Sequence, residues 1–136
     1  NCLARNITQE AVSGYTVDRI AIAYGTINRV KQGFARSICA VISQYSVNKG
    51  KTTYQMSWYG NYAKRNAPPR PENVELAKKL LTGDIPNPST ECPIVSWYNN
   101  NLDSKNSYNF KGMIDPKKQK CVYKPFGTPH FYIGWR

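Results

Sequence analysis

Glu10 is placed where a carboxyl group can do chemistry. Residues Leu3 to about Val12 read as a short helix, and at about 100° per residue Leu3, Ile7 and Glu10 fall within a roughly 60° arc of it. The acid therefore shares the apolar stripe. A carboxyl group taken from water holds its proton to higher pH unless a cation or hydrogen-bond donors compensate. A carboxyl protonated near neutrality is what a general acid needs. The other reading is a buried carboxylate paired structurally with one of the many arginines. Asn28 repeats the pattern on a second helix, on the stripe of Ala21 and Tyr24, and needs partners inside the fold or in a cleft.

The aromatic residues point to a class of ligand. Of the 17, all but Tyr15, Tyr24 and Phe34 follow Gln44. Gln55-Met56-Ser57-Trp58-Tyr59 and Ser96-Trp97-Tyr98-Asn99-Asn100 interleave rings with amides and hydroxyls. That mixture suits sugars, whose apolar faces stack on rings while their hydroxyls take hydrogen bonds. It also suits unstacked bases, and core packing and turns use the same residues. Lys117-Lys118-Gln119-Lys120 and Lys124 form a basic cluster that fits a phosphate backbone or a solvated face. Other motifs fail. Gly50-Lys51-Thr52 has Tyr45 where a phosphate-binding loop needs its first glycine, and the sequon Asn6-Ile7-Thr8 lies within a predicted helix.

Composition narrows the setting. The 136 residues carry 19 Lys plus Arg against 8 Asp plus Glu, a formal charge of +11, so the surface seeks polyanions: nucleic acid, anionic membrane or anionic cell wall. No apolar run reaches about 18 residues, which excludes a membrane-spanning helix. No signal peptide is read at the start, which is Asn1 rather than Met, so the address is not read directly from it. Cys2, Cys39, Cys92 and Cys121 are unclustered and, with the single His130, make a poor zinc site; no metal or cofactor is expected. An even cysteine count in a small basic chain suggests two disulfides and an oxidising compartment. Of three connectivities we favour Cys2–Cys39 and Cys92–Cys121, each tying one half of the chain and contributing roughly 3–4 kcal/mol.

The elements that must position these residues read as follows. After the first helix, Thr16 caps a second to about Gln32, with Gly33 as its stop. Ser37 to Tyr45 reads as a third helix and Ser46 to Thr53 as a polar loop. Ala67-Pro68-Pro69-Arg70-Pro71 is a rigid connector opening a helix with Glu72 and Glu75 early, Lys78 and Lys79 late, and Gly83 after its end. From Pro86 onward the apolar runs Ile94–Tyr98, Val122–Tyr123 and His130–Ile133 suggest loops and a small sheet. The expectation is one α+β domain over residues 1–136, mostly helical with a small C-terminal β-region.

These pieces together resemble the bacterial cell-wall hydrolases related to spore cortex-lytic enzymes. The resemblance runs through Cys2-Leu3-Ala4-Arg5-Asn6-Ile7-Thr8-Gln9-Glu10-Ala11, Ile20–Ala23, Ile27-Asn28-Arg29-Val30 and Ser37–Ile42. It continues with the Gln-aromatic-Ser-Trp-like element Gln55–Trp58, Ala77-Lys78-Lys79, Val95–Asn99, and Gly127 with His130-Phe131-Tyr132. It implies a lysozyme-like fold, an extracytoplasmic location (periplasm, cell wall, secreted or phage-delivered) and a monomer acting on peptidoglycan glycan strands. The family's catalytic glutamate falls on Glu10, and substrate contacts on Asn28, Gln55, Ser57, Trp58, Tyr98, Asn99, His130 and Tyr132. The chain departs from the family around the acid, where Thr8-Gln9 replaces Tyr-His and Ala11-Val12-Ser13 replaces Ala-Arg-Gly, so muramic lactam specificity is not implied. The segment Asn61–Arg70 is an atypical insertion.

The resemblance implies cleavage of the β-1,4 bond between N-acetylmuramic acid and N-acetylglucosamine. No second acid matches a family motif, whereas ordinary glycosidases pair two carboxylates. One acid suffices for a lytic transglycosylase, in which the muramic C6 hydroxyl attacks internally. A hydrolytic muramidase is the alternative, with Asp18, Asp103 or Asp115 recruited by the fold. A nucleic-acid-binding module, motivated by charge and aromatics, is the main rival from another class; a cationic nuclease is weaker, having one histidine. No nucleic-acid partner is expected on the leading reading.

Overall fold

The structure, a computed structural model, describes residues 1–12, 14–99, 120–123 and 130–135; within the strands, the side chains of Tyr98, Asn99, Lys120, Val122, His130 and Phe131 are not described. Asp103, Asp115, Lys117–Gln119, Lys124 and Gly127 lie outside the described residues. The described residues form helices and two small antiparallel sheets, an α+β arrangement as expected.

Helix α1 spans Cys2–Glu10 and α2 spans Thr16–Lys31. Their apolar stripes meet: Leu3, Ala4 and Ile7 of α1 and Ala21, Ile22 and Ala23 of α2 are buried in one cluster. Asp18 in the first turn of α2 and Arg29 and Lys31 in its last suit the helix dipole. Tyr15, rather than the expected Thr16, holds the cap position. Between the helices, Asn6 is fully buried, and its amide donates to Thr26 Oγ1 (2.8 Å) while its oxygen accepts from Trp58 Nε1 (2.9 Å). That burial also removes the Asn6 sequon from any glycosylation of the folded chain.

Helix α3 spans only Ile38–Ile42, with Ser37 Oγ accepting from the Ala40 N–H at its start. It is shorter than expected because strand β1, Tyr45–Asn48, begins at once and pairs with β2, Lys51–Tyr54. The stretch expected as a polar loop is therefore a hairpin. Lys49 and Gly50 both take positive φ, 53° and 76°, the twist a two-residue hairpin turn requires. A helical turn, Ser57–Gly60, and the short α4, Tyr62–Asn66, follow; α5 then spans Pro71–Leu81 with proline in its first turn. Leu76, Ala77 and Leu80 of α5 complete the α1–α2 core.

The second sheet has the order β3-β5-β4, with β3 Ile94–Asn99, β4 Lys120–Tyr123 and β5 His130–Trp135. Its register slips between Ile94, opposite Gly134, and Ser96, opposite Ile133, so β3 carries a bulge at Val95. A Cβ at Gly134 would come within 2.3 Å of the Cys92 carbonyl oxygen, so only glycine fits there. Both expected disulfides are formed. Cys2–Cys39 ties the start of α1 to α3, and Cys92–Cys121 ties the approach to β3 to β4. Among the described residues, no helix is long and apolar enough to cross a membrane.

Candidate active site

Glu10 ends α1, where the helix emerges from the core; the stripe beneath it, Leu3 and Ile7, is sealed while the acid itself is half-buried. Its carboxylate Oε2 accepts a hydrogen bond of 3.1 Å from Trp97 Nε1 on β3. The two side chains line a cleft of about 140 Å³ together with Arg29, Gln55, Met56, Ser57 and Ser96. An indole N–H can only donate, so the contact orients the carboxyl group.

Trp97 is aimed by the bulge. In a regular strand, residues three apart point to opposite faces; the extra residue at Val95 brings Ile94 and Trp97 to the same face of β3. Both press on Gly25 of α2, where a Cβ would stand 2.7 Å from the Trp97 ring and 3.3 Å from the Ile94 side chain. The carbonyls at the bulge are held by the next turn of the same helix: Asn28 Nδ2 donates to Ile94 O at 2.9 Å, and Arg29 Nε to Val95 O at 2.5 Å. The Arg29 guanidinium also lies over the Trp97 ring, 5.0 Å from its centroid. Residues 25, 28 and 29 thus fix the strand that fixes the donor to Glu10.

The site residues expected from the sequence separate into three groups. Glu10, Gln55 and Ser57 share the cleft, the latter two exposed to solvent. Asn28, Trp58 and Tyr132 are not among its lining residues. Asn28 is 2% exposed and spent on Ile94 O and on the Asn87 amide (3.4 Å). Trp58 is 4% exposed, packed on Val41, Ile42 and Met56, with Nε1 given to Asn6. Tyr132 is fully buried and donates its hydroxyl to Asp18 Oδ1. In each case helix or strand periodicity turns the polar atom toward another element. Tyr98, Asn99 and His130 form the third group: Asn99 pairs with His130 and Tyr98 with Phe131 in the β3–β5 ladder, and their side chains lie outside the described residues.

Trp97, Arg29, Ser96 and Met56 line the cleft without having been singled out for it. Trp97, Ser96 and Met56 had a signal, their place in runs of rings, hydroxyls and amides; Arg29, on α2, had none, because its reach to the cleft depends on how α2 packs on β3. Among the described residues no group of three His, Cys, Asp or Glu could hold a metal ion. Comparison of the chain with protein-family models, curated proteins and solved structures gives no match.

Proposed function

We propose that this protein cleaves peptidoglycan glycan strands at the β-1,4 bond between N-acetylmuramic acid and N-acetylglucosamine, as a lytic transglycosylase of lysozyme-like fold with Glu10 as its one acid and base. The observation that carries the reading is Glu10 itself: a half-buried carboxyl on an otherwise apolar helix face, oriented by an indole N–H and opening on a polar cleft. Gln55 and Ser57, which the resemblance assigns to substrate contacts, share that cleft.

Glu10 protonates the glycosidic oxygen as the bond from the muramic C1 breaks and positive charge grows on that sugar. The C6 hydroxyl of the same sugar then bonds to C1, and the Glu10 carboxylate takes its proton. Glu10 ends as it began, and the product carries a 1,6-anhydro end. The Trp97 N–H supports the carboxylate between the two proton transfers. Asp18, a candidate second acid for a hydrolytic mechanism, is fully buried and hydrogen-bonded by Tyr132, which takes it out of that role. The two disulfides suit an oxidising, extracytoplasmic place of work.

Turbidity clearing of purified cell walls by the wild-type protein and by Glu10→Gln tests the reading. We expect the variant to lose about 10²- to 10⁴-fold of the rate; full activity would remove Glu10 from catalysis. Mass spectrometry of the fragments reads the outcome of the second step. Anhydro ends are one water lighter than hydrolysed ends and resist borohydride reduction, and reducible ends throughout would make the enzyme a muramidase.

A further inference from the structure

The cleft at Glu10 is about 140 Å³, below the roughly 300 Å³ at which small-molecule sites begin. A polymer reaching the acid must be held by surface outside the cleft. The β1–β2 hairpin supplies such a surface. Its register places Tyr45, Val47, Thr52 and Tyr54 on one face, and Ser46, Asn48, Lys51 and Thr53 on the other. A half-covered antiparallel ribbon turns its apolar face inward. Here that face meets solvent: Tyr45 is 62% and Val47 60% exposed.

The exposed Tyr45 ring begins a series that continues through the half-buried Tyr54 and Tyr59. Tyr45 and Tyr54 have centroids 5.8 Å apart, and Tyr54 and Tyr59 5.5 Å apart. The Arg65 guanidinium lies 4.9 Å from the Tyr59 centroid and 5.8 Å from that of Tyr54. The series adjoins the cleft along the chain, because Gln55 follows Tyr54 directly and Ser57 precedes Tyr59 by two residues, and Gln55 and Ser57 line the cleft. Charge decides what it suits. From Arg19 to Pro71 the sequence contains no Asp or Glu, while Lys49, Lys51, Lys64 and Arg65 lie on or beside the hairpin.

We propose that the Tyr45–Val47–Tyr54 face of the hairpin, continued by Tyr59, docks a glycan strand bearing carboxylates and feeds it to Glu10. Aromatic rings along this face receive the apolar faces of sugars. The surrounding cations answer the carboxylates of the peptide stems, with a strength that falls as salt rises. This proposal rests on the glycan-cleaving reading above.

Binding is measured in the Glu10→Gln background, by co-sedimentation with purified cell walls, so that turnover does not disturb it. Tyr45→Ser should weaken wall binding about 5-fold or more. Val47→Asp should weaken it further than Val47→Lys, because an acid on this face repels the strand. Thermal unfolding should not move, since both side chains are exposed, and it confirms that each variant is folded. Wild-type wall binding by Tyr45→Ser and Val47→Asp would overturn the proposal. So would a protein that ignores walls but retains a single-stranded oligonucleotide in a Tyr45-dependent way. If Glu10→Gln instead clears walls at full rate while Tyr45→Ser loses wall binding, the docking surface stands and only the assignment of the acid fails.

Discussion

Glu10 and Asp18 stand on successive helices, and each carboxylate receives a hydrogen bond from an aromatic side chain of the C-terminal sheet: Trp97 on β3 for Glu10, Tyr132 on β5 for Asp18. The pairs look alike on paper and differ in what lies beyond the carboxylate. Asp18 is sealed, in the first turn of α2, where its charge is answered by a tyrosine hydroxyl and the helix dipole. Glu10 sits where a helix ends, half in solvent, facing a polar cleft. Asp18 is closed to solvent and Glu10 opens on a cleft; access, more than hydrogen bonding, separates them.

The comparison can be broken from either side. The largest effect is the loss of wall clearing in Glu10→Gln, which should leave the unfolding temperature nearly unchanged. Asp18→Ala should do the reverse, lowering stability by about 3 kcal/mol through the lost hydrogen bond from the buried Tyr132 hydroxyl and the lost dipole partner, read by urea unfolding. If Asp18→Ala abolishes clearing while the fold stays intact, the two acids share the chemistry and the contrast fails. Gly25→Ala tests the link between them, since its methyl must displace the Trp97 ring. We expect a loss of about 1–3 kcal/mol and a fall in kcat with KM little changed, because the donor to Glu10 moves while Gln55 and Ser57 stay in place. Trp97→Phe should reproduce the kcat effect at smaller cost in stability.

The smallest effect lies at alkaline pH. Burial first, then the hydrogen bond to Asp18 and its negative charge, push the Tyr132 hydroxyl well above the ordinary tyrosine range. Burial also raises Tyr24. The folded state therefore keeps protons that the unfolded chain releases above about pH 10, so stability is fully present below that pH and declines as pH rises past it. Thermal unfolding followed from pH 8 to 11 should show this decline, shallower in Tyr132→Phe. An identical slope in both proteins would separate Tyr132 from it.

The sequence carried α1, α2 and α5 and the cysteine pairing, because those depend on local period and on which half of the chain each cysteine occupies; the single-turn α4 was missed and α3 was read too long. Glu10 was legible for the same reason: an acid on an apolar helix stripe is an anomaly that arithmetic detects. The hairpin was not, although Lys49-Gly50 lies between Tyr45/Val47 and Thr52/Tyr54 at strand spacing. Serine, threonine, asparagine and lysine gave that stretch a loop's composition and masked its period of two. Asn28, Trp58 and Tyr132 were read toward the cleft, whereas their polar atoms bind across the core to Ile94, Asn6 and Asp18. Which of several buried polar groups faces a ligand depends on tertiary register, and here on one extra residue in β3.

Cys2 opens α1 and Glu10 closes it, eight residues and about 12 Å apart along a rigid rod. The covalent bond to Cys39 anchors the far end of the lever that carries the acid, so opening that bond should let the tip swing away from the Trp97 indole. On the proposed function, the reduced chain should be the weaker wall-clearing form and the oxidised chain the stronger. Clearing should therefore fall on mild treatment with dithiothreitol and return on reoxidation, and Cys2→Ser/Cys39→Ser should remain weak whatever the redox state.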